Sequence, residues 1–358
     1  MIPATTLGRH PASPPTWQQE LAGAITDPGT LARALGLDPG LFPDATQASG
    51  LFALRVPLSF VGRMRPGDPA DPLLRQVMPL AEELAEQPGF RPDPLAERAA
   101  FKAPGLLQKY QGRALLIATG ACAIHCRYCF RREFPYSEQI GADALSQALD
   151  AIAADATLEE VILSGGDPLS LSNARLQALT DRLAQIPHIR RLRLHTRLPV
   201  VLPSRIDAGL LRWLRDLPWP VAVVLHSNHG NEIDAGVRTA CDRLRATGAT
   251  LLNQTVLLRG VNDSVAALSE LSQRLFAAGV VPYYLHLLDP VRGAAHFDVP
   301  DALAQQLVGT LAATLSGYLV PRLVREVPRR PCKASRESAI STVENVRPVA
   351  REGPQVRC

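Results

Sequence analysis

Cys122-Ala-Ile-His-Cys126-Arg-Tyr-Cys129 places three of the six cysteines of the 358-residue chain within eight residues. Four-cysteine ligation is usual for electron-transfer clusters, so three thiolates at C-x3-C-x2-C spacing predict a [4Fe–4S] cluster with one iron open to a small molecule. The alternative is zinc held by these cysteines and His125. Structural zinc usually takes ligand pairs from two separated segments, and the sequence shows no second pair.

The composition is that of a globular protein, with 46% hydrophobic and 20% charged residues and a net charge of +4. The positive charge is spread along the chain until the C-terminal tail, which is a weak argument for a nucleic-acid partner. No run of about 18 apolar residues occurs, so no membrane span is predicted. Clustered cysteines without an apolar leader favour a metal site in a reducing compartment, and we expect the cytoplasm.

Hydrophobic periodicity divides the chain into three parts. Residues 1–112 are rich in proline and in short helical patterns, including a helix that starts after Thr16 and one with Thr30 as its N-cap, and they predict a helical N-terminal domain. Over 113–300, short apolar runs alternate with helical patterns, which predicts a parallel sheet in a partial (β/α)6 barrel. Residues 301–358 form a C-terminal segment. The apolar runs lie at 114–118, 161–163, 191–195, 221–225, 250–256 and 280–285.

Polar residues gather where these runs end, and in parallel βα barrels that end carries the active site. Ser164-Gly165-Gly166-Asp167 follows the second run. Paired glycines let a ligand approach the backbone, and the carboxylate beside them can accept a hydrogen bond from an ammonium group. The same four residues also suit an ordinary turn. Their position one strand after the cysteine loop favours the ligand site.

The chain contains a series of motifs, each occurring once. In order along the sequence they are Lys109-Tyr110-x-x-Arg113, the cysteine loop with Arg131-Arg132, Leu163-Ser-Gly-Gly-Asp-Pro-Leu169, Arg197-Leu-Pro-Val-Val-Leu-Pro-Ser-Arg205, His226-Ser-Asn-His-Gly-Asn-Glu232, Asn253-Gln254 and Pro282-Tyr-Tyr-x-x-x-x-Asp289. On these motifs, residues 56–335 resemble the lysine 2,3-aminomutase family of radical S-adenosylmethionine (SAM) enzymes, which also use pyridoxal phosphate (PLP). The chain is most similar to the short branch that makes β-lysine for elongation factor P. On this resemblance, the cysteine-bearing C-terminal extension of the longer, catabolic members is not expected.

The resemblance implies a site for each ligand. The residues are Cys122, Cys126 and Cys129 for the cluster; Gly165, Gly166, Asp167, His226 and Gln254 for SAM; Lys333, Tyr110 and Arg113 for PLP; and Arg131, Asp289 and Glu326 for the substrate. Lys333 would carry PLP covalently. Arg131 would bind the substrate carboxylate, a bidentate task that suits a guanidinium. Asp289 and Glu326 would bind the distal ammonium of lysine. The implied reaction is an isomerisation of L-lysine to β-lysine.

The chain departs from the family pattern at four places. Val327-Pro-Arg-Arg-Pro-Cys332 replaces a glycine-rich approach to Lys333, His286 stands where tyrosine is common, Tyr128 stands where histidine is common, and Glu326 is longer than the usual aspartate. Three alternatives therefore stay open: a mutase for another amino acid such as glutamate, a radical SAM enzyme without PLP, and a zinc-stabilised nucleic-acid-binding module.

The resemblance also implies partners. They are a flavodoxin- or ferredoxin-type reductant, together with elongation factor P and the enzyme that transfers lysyl groups to it. No membrane partner is expected, and an assembly of identical subunits is left open.

Overall fold

The computed structural model describes residues 16–327 and 334–335 of the chain. Its N-terminal part consists of short helices joined by turns: α1 (Trp17–Ala22), α2 (Pro28–Ala34), α3 (Ala45–Leu51), α4 (Leu58–Val61) and α5 (Pro72–Arg75). Helix α1 starts where the sequence predicts, because Thr16 and Gln19 form a capping box. The prediction of Thr30 as an N-cap is wrong. Asp27 caps α2 and Pro28 takes its first position, which places Thr30 inside the helix.

The described strands form one sheet in sequence order: β1 (Phe101–Ala103), β2 (Leu106–Tyr110), β3 (Arg113–Thr119), β4 (Glu160–Gly165), β5 (Arg191–Thr196), β6 (Val221–His226), β7 (Thr250–Val256), β8 (Val281–His286), β9 (Arg322–Arg325) and β10 (Ala334–Ser335). Neighbouring strands from β3 to β9 pair in parallel. The pairs β1–β2, β2–β3 and β9–β10 are antiparallel. Each of the six predicted runs corresponds to one of the strands β3 to β8, and the last run begins one residue before β8.

Helices follow the parallel strands: α6 (Tyr136–Gln139), α7 (Ala142–Ala154), α8 (Asn173–Leu183), α9 (Leu198–Val201), α10 (Ala208–Asp216), α11 (Ala235–Arg245), α12 (Val265–Ala277) and α13 (Asp301–Thr314). Helix α8 shows why the periodic pattern works. Ser172 caps its start, and Leu176, Leu179 and Leu183 form one buried face against the sheet. The predicted α/β fold with a partial (β/α)6 barrel is confirmed. None of the described helices has the length and apolar character that crossing a membrane requires.

The N-terminal helices and the barrel share one hydrophobic core. A single cluster of buried side chains contains Phe60 and Leu74 from the N-terminal part and Leu163 and Val223 from the sheet. The sheet also extends past both predicted boundaries, because β1 and β2 precede residue 113 and β9 follows residue 300. The division at 112 and 300 therefore stays a prediction about domains, while the core is continuous across the first of these boundaries.

A buried ion pair fastens the cysteine loop to the N-terminal helices. Arg127 lies between two of the cysteines and is fully buried; its Nε and Nη2 donate to the Glu83 carboxylate at 2.8 and 2.6 Å. Arg132 donates to the same carboxylate at 2.8 Å. Nη1 of Arg127 also donates to the carbonyl oxygen of Phe52. These hydrogen bonds to the Arg127 guanidinium fix the backbone of the loop. If the side chain rotated away, the buried charges of Arg127 and Glu83 would lose their partners.

Replacing Glu83 with glutamine should therefore lower the free energy of unfolding by about 3–5 kcal/mol, because two buried guanidinium groups lose their counter-charge. The measurement is urea unfolding followed by circular dichroism. Glu159→Gln is the matched control, since Glu159 pairs with Arg191 at the surface, where both side chains are about half exposed. That variant should lose less than about 1 kcal/mol. Equal losses in the two variants would contradict the role given to Glu83.

Candidate active site

A cavity of about 440 Å³ lies at the carboxyl ends of the parallel strands. It brings together residues that the sequence analysis assigned to four different ligands. Those on its wall are Tyr110, Arg113, Cys122, Cys126, Cys129, Arg131, Gly165, Gly166, Asp167, His226, Gln254, Asp289 and Glu326. Lys333 lies outside the described residues. The site is thus a single chamber rather than several separate pockets for these groups.

The three cysteines of the loop line this cavity, and the charge of one raises the thiol pKa of another. Burial, followed by the charge of Cys129, raises the pKa of the Cys122 thiol well above its ordinary value. Burial and the charge of Cys126 raise the pKa of Cys129 to about 11. A metal that bound these sulfur atoms would displace the thiol protons, because the metal ligand is the thiolate. Three sulfur donors around one chamber fit the donor set of a [4Fe–4S] cluster with an open iron.

The predicted zinc alternative used His125 as its fourth ligand. His125 Nδ1 instead lies 2.8 Å from the carbonyl oxygen of Ala53, and its ring stacks on Phe52 with centroids 5.3 Å apart. Among the described residues, no three His, Cys, Asp or Glu side chains converge as a ready site for one metal ion.

The glycine turn after β4 is shaped by the chain segment that leads into the cysteine loop. A Cβ on Gly165 would lie 2.3 Å from the carbonyl oxygen of Thr119, and one on Gly166 would lie 2.5 Å from that of Ala121. Gly165 also has a φ of +123°, which favours glycine. The backbone N–H of Gly166 donates to Thr119, and that of Asp167 donates to Ala121. Close backbone packing is therefore one physical reason for both glycines.

Asp167 uses its carboxylate to hold the neighbouring turn. Oδ1 accepts hydrogen bonds from the backbone N–H of Leu169 and from Thr196 Oγ1, and Oδ2 accepts from the backbone N–H groups of Arg197 and Leu198, at 2.7–3.1 Å. Four donors fill the acceptor capacity of a carboxylate. Burial raises the pKa of Asp167 to about 6, although these hydrogen bonds act against the rise. The predicted contact of Asp167 with SAM stays a prediction, and the geometry favours an indirect role through the turn.

Arg131 reaches the cavity with one edge already bound. Its Nε and Nη2 donate to the two carboxylate oxygens of Glu97 at 2.8 and 2.9 Å, and Nη1 donates to Ser164 Oγ at 3.2 Å. Lys109 Nζ lies 3.2 Å from the same carboxylate. Nη1 also donates to the carbonyl oxygen of Gly165 at 3.4 Å. A guanidinium has five N–H donors and these contacts use four of them, so one hydrogen on Nη2 remains for a ligand carboxylate. Sequence reasoning missed Glu97, because nothing local marks an acidic residue in a proline-rich stretch as buried.

A hydrogen bond at the cavity wall links the end of strand β2 to the residue after strand β9. Tyr110 Oη at the end of β2 donates to Glu326 Oε1, just after β9, at 2.5 Å. The Arg113 guanidinium lies over the Tyr110 ring, 4.3 Å from its centroid. Burial, then the Glu326 charge, raises the pKa of Tyr110 well above its usual range, so the phenol stays protonated. A predicted PLP contact and a predicted substrate anchor are thus in direct contact.

Two of the family departures fit into this arrangement. Tyr128 Oη lies 2.9 Å from His226 Nε2, the rings stack with centroids 5.7 Å apart, and Asn228 donates to the same hydroxyl. Burial lowers the pKa of His226 to about 3, so its imidazole is neutral at physiological pH. His286 ends β8 on the same cavity wall as Gln254. The SAM contacts predicted for His226 and Gln254 stay predictions.

Comparison with known proteins identifies similar chains. Residues 116–270 match the Radical SAM superfamily, and this range contains the cysteine loop, the glycine turn, His226 and Gln254. The chain is 50% identical over 319 residues to the L-lysine 2,3-aminomutase of Escherichia coli (strain K12), covering 88% of this chain and 93% of that one. The Haemophilus influenzae protein of the same name is 48% identical, with 88% and 94% covered. That of Clostridium subterminale is 37% identical, with 75% and 65% covered.

The pair of Glu97 and Arg131 predicts a pH dependence of stability. Burial alone would raise the pKa of Glu97, but Arg131, together with Lys109, outweighs it and holds the pKa at about 2, below the usual 4.5. A depressed carboxyl pKa stabilises the fold above pH 4.5, and the contribution is lost as the pH falls from about 4.5 to 2. Glu97→Gln should therefore lower the free energy of unfolding at pH 7 by about 3 kcal/mol, at 1.36 kcal/mol per pKa unit.

The measurement is urea unfolding of the metal-free protein at several pH values between 7 and 3. The difference in the free energy of unfolding between wild type and Glu97→Gln should shrink as the pH falls below 4.5. Glu270→Gln is the control, because Glu270 pairs with Arg274 on an exposed helix face. This substitution should change the free energy of unfolding by less than about 0.5 kcal/mol. A gap for Glu97→Gln that stays constant down to pH 3 would rule out the ion pair as its cause.

Proposed function

Because this chain belongs to the lysine 2,3-aminomutase family of radical SAM enzymes, we propose that it converts L-lysine to β-lysine by moving the amino group from C2 to C3. One observation carries the proposal. A single cavity has the three cysteines and the glycine turn on its wall together with the carboxylates of Asp289 and Glu326. A cation-tipped substrate held by those carboxylates would lie in the same chamber as a cluster on those thiols.

Membership of the superfamily implies a [4Fe–4S] cluster and SAM. Cys122, Cys126 and Cys129 would hold the cluster, and the backbone at Gly165 and Gly166 would face the methionine part of SAM. When bound, the cluster and SAM supply hydrogen-atom abstraction from an unactivated carbon, and PLP supplies a conjugated system that carries the migrating nitrogen. The protein binds, orients and excludes water. Orientation of this kind can be worth about 7–11 kcal/mol.

Substrate orientation in this proposal depends on charges at two ends of the cavity. The remaining Nη2 hydrogen and the positive charge of Arg131 would bind the α-carboxylate, since Glu97 fixes the position of the guanidinium. Asp289 and Glu326 would bind the ε-ammonium, with Tyr110 setting the position of Glu326. Two carboxylates would repel the side chain of glutamate, so the alternative of a glutamate mutase is less favoured than lysine. Family membership removes the zinc-stabilised nucleic-acid-binding alternative.

PLP is proposed to bind through Lys333. The imine that PLP forms with a protein requires a lysine amine, and the chain has three lysines, at 102, 109 and 333. Lys109 pairs with Glu97, and Lys102 is exposed on β1. Ala334, the next residue after Lys333, pairs with Arg325 beside the cavity residue Glu326. Tyr110 and Arg113 would contact the cofactor, with Lys109 near its phosphate.

The wider biological assignments are also proposals. Supply of β-lysine for elongation factor P is supported by the resemblance to the short branch of the family. A flavodoxin- or ferredoxin-type protein would donate the electron that reduces the cluster. A cysteine cluster that would hold a metal supports a reducing compartment, and we propose the cytoplasm.

The decisive experiment incubates the purified protein without oxygen with SAM, dithionite, PLP and L-lysine, and separates the products by chromatography. We expect β-lysine from lysine and no product from glutamate. Cys126→Ala is the control that removes one of three cluster ligands, so it should lose the brown colour and all turnover. Cleavage of SAM with conversion of glutamate but not of lysine would contradict the substrate, while colour and turnover retained by Cys126→Ala would contradict the cluster.

Borohydride reduction of the PLP-loaded protein, followed by peptide mapping, tests the lysine assignment. The pyridoxyl label should appear on Lys333, because a stable imine needs an amine that loses its proton readily, which burial or neighbouring cations can arrange. Lys333→Ala should abolish labelling and lysine turnover, and Lys102→Ala should leave both intact. A label on Lys102 or Lys109, or lysine turnover that persists without any label, would contradict Lys333.

A further inference from the structure

Arg197, the first residue after β5, places a buried positive charge against a cysteine of the loop. Its side chain is 7% exposed, and its Nη1 is a hydrogen-bond donor in direct contact with Cys126 Sγ. Neither the sequence analysis nor the proposed reaction gives this arginine a role. It lines the same cavity as the three cysteines.

The position of the guanidinium is fixed by groups other than the cysteine. Nη2 donates to Gln76 Oε1 at 2.6 Å and to Glu232 Oε2 at 3.0 Å. Glu232 is itself held, because its Oε1 accepts from the backbone N–H groups of Asn228 and His229. The contact with Cys126 is therefore built into the fold and does not depend on the sulfur to hold the arginine in place.

Aromatic rings also confine Arg197. Its guanidinium carbon lies 5.4 Å from the centroid of Phe60 and 5.8 Å from that of Tyr128. Tyr128 belongs to the cysteine loop, and Phe60 belongs to helix α4 of the N-terminal part. Residues of the barrel, of the cysteine loop and of the N-terminal helices thus all contact the Arg197 guanidinium. These contacts restrict its rotation away from the Cys126 sulfur.

We propose that Arg197 raises the reduction potential of the cluster through its hydrogen bond to Cys126. Reduction transfers one electron from an external donor to the cluster, with no bond formed or broken, and makes the cluster one unit more negative. A fixed N–H donor and positive charge at a ligand sulfur stabilise the reduced form more than the oxidised form. Glu232 neutralises part of the charge and so limits the effect. The inference is independent of the substrate proposed above.

The test compares Arg197→Gln and Arg197→Lys with wild type in a redox titration at mediator-poised potentials, read by electron paramagnetic resonance. SAM and lysine are left out, so a wrong substrate assignment cannot affect the result. Arg197→Gln should disfavour one-electron reduction at least tenfold, a shift of ~59 mV to more negative potential. Arg197→Lys, which keeps the charge but loses the planar donor fixed against the sulfur, should shift the potential in the same direction by a smaller but measurable amount.

Arg205→Gln is the matched control. Arg205 is another fully buried arginine after β5, but it donates to the carbonyl oxygens of Leu169 and Leu171 rather than to a cysteine. Its removal should leave the potential unchanged. A purely structural Arg197 would lower iron content without moving the potential of the cluster that remains. An Arg197→Gln protein with wild-type potential would overturn the proposal, and if that variant holds no iron, an unshifted Arg197→Lys protein would do so.

A second measurement needs no substitution. The reduced wild-type protein, grown with ¹⁵N-arginine and studied by pulsed paramagnetic resonance without SAM, should show a ¹⁵N coupling from a guanidinium near the cluster. The coupling should vanish in Arg197→Lys and persist in Arg205→Gln. Absence of the coupling from wild type would overturn the contact itself, even if both Arg197 variants fail to assemble a cluster.

Discussion

The bidentate pair between Arg127 and Glu83 is the interaction on which the site depends. The pair is completely buried and joins Arg127 of the cysteine loop, a stretch of irregular backbone between β3 and α6, to Glu83 of the N-terminal part. This ion pair connects the N-terminal part to the loop and fixes the conformation of the loop. Two backbone hydrogen bonds add to it, from the N–H of His125 to the carbonyl oxygen of Arg55 and from the N–H of Arg127 to that of Gln76. The barrel presents the cavity, and the N-terminal part gives the thiols their geometry.

Buried acids in this protein mostly serve other protein groups rather than ligands. Glu83, Glu97 and Glu232 each hold a buried arginine, and Asp167 holds a turn by four hydrogen bonds. Each of them makes a cation or a backbone segment rigid at the cavity wall. Because each of these four carboxylates has a partner, none of them is left as an uncompensated buried charge beside the cavity.

Local information was enough for the fold and for the identity of the key loop. Strand and helix positions followed from apolar periodicity and capping residues, because parallel strands buried on both faces read as short apolar runs. The spacing of Cys122, Cys126 and Cys129 is a property of eight adjacent residues, and so is visible in the sequence alone. The one capping error, at Thr30, arose where Asp27-Pro28 supplies a stronger local start signal.

Tertiary structure decided which polar residues are buried and what they contact. Arg131 and Glu97 are 34 positions apart, and Tyr110 and Glu326 are 216 apart. No local pattern distinguishes such a carboxylate from a solvated one, because its pKa and role depend on burial and on a partner brought in by the fold. The sequence therefore determined the barrel, the cysteine loop and the family, whereas only long-range packing decided how each charge around the cavity is held.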